Sequence, residues 1–83
     1  MTLTVKLLAS LIRFLPEGTK GAEAVIEVDD ALTIDGLLDH FGMQQGQSHM
    51  IVVNGDHVAL TERAAHALHD GDSVTVWPNM AGG

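Results

Sequence analysis

The sequence Asp-Gly-Asp-Ser-Val-Thr-Val-Trp-Pro-Asn-Met-Ala-Gly-Gly at residues 70–83 decides how this chain folds. Its first three residues are typical of a tight turn, and the alternation that follows predicts a strand over residues 73–77. Successive side chains of a strand point to opposite faces, so Val74 and Val76 share one face and Trp77 lies on the other. The sequence therefore predicts a last strand with an apolar face toward the core and the only tryptophan on the opposite face.

The residues beyond Pro78 are predicted to form a flexible tail. The chain divides into a domain at residues 1–78 and a tail at residues 79–83 that ends in Gly82 and Gly83. Six residues counted from Pro78 reach roughly 20 Å when fully extended. Glycine has no Cβ, so this tail can enter a slot too narrow for a side chain and leave its carboxylate accessible. We interpret the terminus as a chemical handle for another protein's active site, with a loose end of no function as the alternative.

The residues before this stretch predict four further strands. Alternating or β-branched apolar runs place them at residues 2–8, 22–28, 50–53 and 57–60. Asn54-Gly55 is a strong signal for a hairpin between the third and fourth strands. A continuous apolar run up to Arg13 predicts a short helical turn or a change of direction after the first strand.

One helix is predicted between the second and third strands. Thr33 is a good N-cap, apolar residues from Ile34 to Phe41 recur at helical spacing, and Gly42 suits the position after the helix. One helix on one face of a mixed sheet of four to five strands is an α+β arrangement. It looks like the β-grasp (ubiquitin-like) architecture.

Composition and charge narrow the functional classes. The chain has 83 residues, a formal net charge of −7 and no cysteine, which fits one small domain without disulfides, thiolate metal ligands or a cysteine nucleophile. The acidic balance argues against nucleic acid and anionic membrane partners and favours a partner with a basic face. No apolar run approaches membrane-spanning length and no secretory signal is visible, so we expect a cytoplasmic protein.

The five histidines do not predict a metal site. His66 and His69 are three residues apart, but zinc needs three or four converging ligands and the nearest carboxylates are Glu62 and Asp70. No Ser/His/Asp order, phosphate loop or paired acid/base motif is present either. We therefore expect neither a bound metal nor an autonomous enzyme.

The C-terminal sequence, taken together with the predicted architecture, resembles the MoaD/ThiS family of sulfur-carrier proteins. The resemblance covers nearly the whole chain, and four segments carry it: Val5 to Ala9 with Arg13, Val52 to Gly55, Leu68 to Val74, and Pro78 to Gly83.

The resemblance implies how the terminus works. An E1-like adenylyltransferase uses ATP to adenylate the carboxylate of Gly83, and sulfur from a persulfide donor enzyme then displaces AMP to give a thiocarboxylate. Gly82, which has no side chain, lets the terminus enter a narrow opening in a partner, while Ala81 and Met80 line the entry to the partner's channel. An acceptor synthase receives the sulfur, and the carrier itself holds no stably bound cofactor.

The segment up to Arg13 and its connection to the second strand look most like the small subunit of molybdopterin synthase, whose tail enters a large catalytic subunit. The sequence leaves thiamine-type and other sulfur carriers as alternatives within the family. A ubiquitin-like protein modifier, joined through the same Gly-Gly terminus to lysines, and a plain interaction domain are the alternatives from other classes.

Two residues are predicted to contact the partner. Strand alternation places Trp77 on the open face of the sheet, where Leu8, Val25 and Val52 or Met50 would join it in an apolar patch. Packing of Trp77 at the edge of the core is the alternative. Arg13 would pair with a partner carboxylate, or else be an ordinary exposed residue. The acidic residues Asp29, Asp30, Asp35 and Asp39 are interpreted as a solvated surface that could steer association.

Overall fold

The structure is a computed structural model that describes residues 1–43 and 48–78, and for residues 48 and 49 the backbone only. It contains five strands, β1 (Thr2–Leu7), β2 (Glu23–Glu27), β3 (Ser48–Val53), β4 (Asp56–Val58) and β5 (Ser73–Pro78). The same described residues form one α-helix, α1 (Ile34–His40), and two 3₁₀ helices, Ala9–Phe14 and Leu60–Glu62. The predicted elements are confirmed, except that the fourth strand ends at Val58 and the chain then turns into the second 3₁₀ helix.

The five strands form one mixed sheet in the order β2-β1-β5-β3-β4. β5 lies in the middle, parallel to β1 and antiparallel to β3. The pairs β1·β2 and β3·β4 are antiparallel. The last strand, β5, therefore joins the antiparallel pair β1·β2 to the antiparallel pair β3·β4. The predicted α+β class, with one helix on one face of a mixed sheet, is confirmed.

One face of the sheet and one side of α1 enclose the core. Alternate strand residues on this face have almost no exposed surface, and α1 adds three buried residues. These buried members are Leu3, Val5, Leu7, Ile26, Ile34, Leu37, Leu38, Ile51, Val53, Val58, Val74 and Val76. Each fully buried aliphatic side chain stabilises the fold by about 1.5–3 kcal/mol. The side chains on the other face of the sheet are half-buried or exposed, so that face is open to solvent or to a partner.

The ends of α1 follow the predicted capping residues. Thr33 accepts a hydrogen bond from the Gly36 backbone N–H through its hydroxyl, at 3.2 Å. Gly42 has φ of 78°, and the helix stops where this left-handed backbone begins. In the part of the chain described above, no helix has the length and apolar character needed to span a membrane.

Candidate functional site

The described part of the chain ends in the middle of the sheet, at the last residue of β5. Pro78 is buried, is the last residue of β5 and lies opposite Ser48 of β3. The predicted working residues Gly83, Gly82, Ala81 and Met80 lie outside the described residues, so their roles stay predictions. The root of the tail is nevertheless fixed, because β5 has a hydrogen-bonded neighbour on each side.

An apolar strip lies on the open face beside the root of the tail. We define this open-face strip as Leu8, Met50, Val52 and Trp77, all of them half-buried. Met50 lies directly opposite Trp77, and the Leu8 N–H donates to the Val76 carbonyl at 3.1 Å, which brings Leu8 to the other side of Trp77. The prediction that Trp77 faces away from the core is confirmed, and Leu8 and Met50 flank it.

Sequence reasoning left Met50 and Val52 as alternatives, but both belong to the strip. They are two residues apart on β3, and their partners on β5 are Trp77 and Thr75, which share the open face. The period of a strand already implies that residues two apart lie on the same face. The start of β3 determines whether Met50 belongs to the strand at all. The structure shows that β3 begins at Ser48, before Met50.

Val25 lies on the open face but apart from the strip. Its partner on β1 is Thr4, which pairs with Ser73 at the far end of β5 from the tail. With 69% of its surface exposed, Val25 is the most exposed of the large apolar residues in the described part of the chain. The predicted single patch therefore divides into the open-face strip and an isolated valine at the edge of the sheet.

Arg13 lies in the first 3₁₀ helix at the same end of the sheet as the tail. This helix follows β1 directly and packs against β5. Arg13 is exposed, and its Cζ lies 4.8 Å from the centre of the Phe14 ring, a distance at which a cation–π contact holds the guanidinium. Ile12, with 45% of its surface exposed, adds apolar surface beside it. The fold thus brings Arg13 and Trp77 to one end of the molecule.

Charge is distributed unevenly between the two ends of the sheet. Three exposed basic residues, Lys6, Arg13 and Lys20, lie on or next to the tail end of β1 and β2. The opposite end holds Asp29, Asp30, Asp56, Asp70 and Asp72, from the segment after β2, the β3–β4 hairpin and the turn before β5. The end that presents the tail is therefore less acidic than the net charge of the chain suggests.

The described residues hold no group of three or more histidine, aspartate and glutamate side chains placed to bind a metal ion. His69 Nδ1 lies 3.9 Å from Asp72 Oδ2, and the His69 side chain is largely exposed. What the described residues offer is the end of a strand in the middle of the sheet, with an apolar surface and an arginine beside it.

Comparison with known proteins connects this arrangement to a family. The ThiS family model matches residues 5–83. The solution structure of the Haloferax volcanii HVO 2177 protein is 27% identical, with a TM-score of 0.75 over 100% of this chain and 87% of that one. Comparison with curated proteins gives no match.

Two further solved structures share the fold. The crystal structure of SAMP1 from Haloferax volcanii is 20% identical, with a TM-score of 0.62 over the whole of both chains. A Pyrococcus furiosus protein assigned as molybdopterin converting factor, subunit 1, is 22% identical, with a TM-score of 0.65 over 95% of this chain and 98% of that one. Both show the ubiquitin-like β-grasp fold. Since the family model covers almost the whole chain, including the tail, the protein belongs to the ThiS family of small ubiquitin-like carriers and modifiers.

Proposed function

We propose that this protein is a sulfur carrier in which Gly83 holds sulfur as a C-terminal thiocarboxylate. The observation that carries the proposal is the family match, which runs through to residue 83 and so includes the Gly-Gly terminus. Small proteins of this family are in general not catalysts, and they work with E1-like enzymes and synthases. The absence of cysteine from the chain agrees with sulfur supplied from outside.

The terminus is chemically suited to this role once another enzyme activates it. A carboxylate is a poor electrophile because its negative charge repels nucleophiles. Transfer of AMP from ATP to the Gly83 carboxylate removes that charge, releases pyrophosphate and creates a good leaving group. The outer sulfur of a donor persulfide then attacks the acyl adenylate and displaces AMP, which leaves the terminus joined to the donor as an acyl disulfide. A thiol of a partner enzyme cleaves the S–S bond, so that the thiocarboxylate is released while that thiol and the donor cysteine are oxidised to a disulfide. The carrier contributes the reachable carboxylate, while ATP and the catalytic side chains belong to the activating enzyme.

The open-face strip and Arg13 supply the docking surface in this proposal. The strip includes Trp77 of β5, the strand that leads into the tail, so a partner that covers Trp77 is positioned to receive the tail. Large aromatic residues and arginine are common anchors of protein interfaces. Arg13, exposed and held against Phe14, is placed to pair with a carboxylate at the rim of that interface.

We propose the small subunit of molybdopterin synthase as the branch of the family. The support is the segment up to Arg13, which resembles that branch in sequence and forms a 3₁₀ helix next to the root of the tail. The acceptor is then the large subunit of that synthase. Sulfur delivery to thiamine or another metabolite is the second candidate, and complementation of strains that lack each carrier distinguishes the two.

The absence of cysteine permits a direct test. We expect the protein, purified from cells that contain its activating enzyme and sulfur donor, to include a fraction heavier by the difference between one sulfur and one oxygen atom. A thiol-specific alkylating reagent should label this fraction at the C-terminus and nowhere else, because the chain has no thiol of its own. Intact-mass spectrometry followed by fragmentation of the last peptide locates the label.

Two matched variants complete the test. Deletion of Gly83, or addition of one alanine after Gly83, should abolish the labelled fraction while leaving the folded domain intact. Labelling that persists in either variant would contradict the proposal. Appearance of the chain as covalent conjugates on lysines of other proteins, with no thiocarboxylate at any stage, would favour the protein-modifier alternative.

A further inference from the structure

Within residues 1–43 and 48–78, no strand pairs with the outer edge of β2. β2 is the last strand on its side of the sheet, and its five residues are Glu-Ala-Val-Ile-Glu. A sheet edge presents backbone N–H and C=O groups that another extended chain can pair with. The side chains and charges along the edge then determine which extended segment can pair with it.

The hydrogen bonds to β1 show which residues face outward. Leu7 N–H donates to the Ala22 carbonyl at 2.9 Å, and Val28 N–H donates to the Met1 carbonyl at 2.9 Å. In an antiparallel pair such bonded residues alternate with residues whose backbone groups point away. The outward-facing backbone groups of β2 are therefore those of Glu23, Val25 and Glu27.

The side chains of these three residues lie together on the open face. Glu23, Val25 and Glu27 pair with Lys6, Thr4 and Thr2 of β1, which are on that face, and all three are exposed. The Glu27 carboxylate accepts a hydrogen bond from the Thr2 hydroxyl, which holds it on the face of the sheet. The edge thus presents an exposed apolar side chain between two carboxylates.

The surroundings leave this edge acidic. Asp29 and Asp30 follow β2, which makes four carboxylates in the segment from Glu23 to Asp30. Lys6 lies opposite Glu23, and the N-terminal ammonium lies 3.2 Å from Asp30 Oδ1, so two positive charges offset part of the four. A net negative charge remains on the half of the edge that begins at Glu27.

The same charges disfavour a second copy of this chain as the occupant. Antiparallel self-pairing centred on Val25 would set Glu23 of one copy opposite Glu27 of the other, in both halves of the pair. Like charges directly opposite one another destabilise a sheet. A strand with lysine or arginine at those two positions would instead meet opposite charges and leave an apolar residue against Val25.

We propose that the β2 edge binds an extended basic segment of another protein by strand addition, with basic residues beside Glu23 and Glu27 and an apolar residue beside Val25. This site is separate from the open-face strip and does not depend on whether the terminus carries sulfur. A partner held at the outer edge of β2 leaves Trp77 and Pro78 uncovered, since β1 lies between β2 and β5, the strand that holds both residues.

The test uses synthetic peptides and the full chain. The probe is the blocked peptide Thr-Lys-Thr-Val-Thr-Lys-Thr, and its matched control carries glutamate in place of each lysine. In amide proton–nitrogen correlation spectra, we expect the lysine peptide to shift the signals of Glu23, Val25 and Glu27 and to slow hydrogen exchange at their N–H groups. The glutamate peptide should leave these signals unchanged.

Two variants of the protein separate backbone pairing from charge. Val25→Pro removes an outward N–H and leaves the bonds to β1 in place, because proline is tolerated where the N–H faces away from the sheet. It should abolish binding of the lysine peptide. The double variant Glu23→Gln with Glu27→Gln keeps an acceptor for the Thr2 hydroxyl and removes both charges. It should weaken binding by roughly threefold to tenfold.

Three results would overturn the proposal. Equal responses to the two peptides would show that charge does not select the occupant. Shifts centred on the open-face strip instead of β2 would place the binding elsewhere. Concentration-dependent broadening of the β2 signals without any peptide would identify a second copy as the occupant. If Val25→Pro fails to fold, the double glutamine variant still decides the matter.

Discussion

The side-chain amide of Asn54 donates a hydrogen bond of 2.8 Å to Asp72 Oδ1, which ties the β3–β4 hairpin to the turn before β5. Asn54 Oδ1 in turn accepts from the Ser73 backbone N–H at 2.8 Å. Asp72 uses Oδ2 to accept from the His69 backbone N–H, also at 2.8 Å. Two turns that are distant in sequence are thereby fixed to one another at the end of the sheet opposite the tail.

Substitution of Asn54 should destabilise the fold through two separable effects. Asn54 has φ of 51°, which most residues adopt only at a cost, and its side chain makes the two hydrogen bonds described above. We expect Asn54→Ala to lower the free energy of unfolding by about 2–3 kcal/mol, measured by urea denaturation. Asn54→Gly restores backbone freedom and should lose less. Equal losses in the two variants would show that the backbone conformation contributes nothing.

Stability should depend on pH through Asp72. Burial raises the pKa of this carboxyl, but hydrogen bonds from the His69 backbone and the Asn54 side chain, with the nearby charges of His69 and His66, leave the pKa below its ordinary value. A lowered folded-state pKa means that the stabilisation is complete above the unfolded value of about 3.9 and is lost as the pH falls through the folded value.

The variant Asp72→Asn isolates this contribution. We expect a constant difference in the free energy of unfolding between the native protein and the variant at neutral pH. The difference should shrink as the pH falls below the ordinary carboxyl value of about 3.9, at which the unfolded chain takes up the proton, and through the lowered folded-state pKa of Asp72. Urea titrations of both proteins across the acid range measure it. A difference that stays the same down to the most acidic condition would contradict this role for the carboxylate.

The N-cap of α1 provides a third prediction. The Thr33 hydroxyl accepts the Gly36 N–H at 3.2 Å, and this seven-residue helix is short for its own stability. Thr33→Ala should cost about 1 kcal/mol, while Thr33→Ser retains the acceptor and should cost less. Thermal unfolding followed by circular dichroism compares the two variants. The prediction is wrong if serine and alanine destabilise the protein equally.

The open-face strip provides a prediction that rests on the proposed sulfur-carrier function. Trp77 is half-buried and outside the core, so Trp77→Ala should leave a folded domain while it removes the largest side chain of the strip. We expect sulfur loading by the activating enzyme to fall by roughly tenfold or more, the loss typical of an interface anchor. Thr75→Ala, two residues earlier on the same face, is the matched control and should load normally.

If Trp77→Ala loads as well as the native protein, docking does not use the strip. That result leaves the chemistry of Gly83 intact as a proposal, because alkylation of the C-terminus reports on the thiocarboxylate directly. Loss of loading in both variants would instead indicate general damage to the open face.

Features set by neighbouring residues were predictable from the sequence. Thr33 and Gly42 mark the ends of α1, and Asn54 with Gly55 marks the hairpin, because caps and turns depend on residues a few positions apart. The face on which Trp77 lies followed from strand alternation alone. The strand order did not, since placing β5 between β1 and β3 depends on packing of the whole chain.

The burial of Arg63 could not be predicted from the sequence. Only 2% of its surface is exposed, although arginine is among the residues least often buried. Burial lowers the pKa of its guanidinium, and the nearby charge of Asp35 acts in the opposite direction. Nothing in the residues around position 63 marks it as interior. Its environment is created by α1, whose Asp35 N–H donates to the Arg63 carbonyl at 3.4 Å.

The central position of β5 has a mechanical consequence. Under the proposed function, a partner that draws the terminal glycines into its active site pulls along the length of β5, which is hydrogen-bonded to β1 on one side and to β3 on the other. A force in that direction acts on the hydrogen bonds to β1 and β3 at the same time, instead of breaking them one after another. In the proposed sulfur-carrier cycle, the sheet therefore resists the extraction of β5 through repeated rounds of loading and delivery.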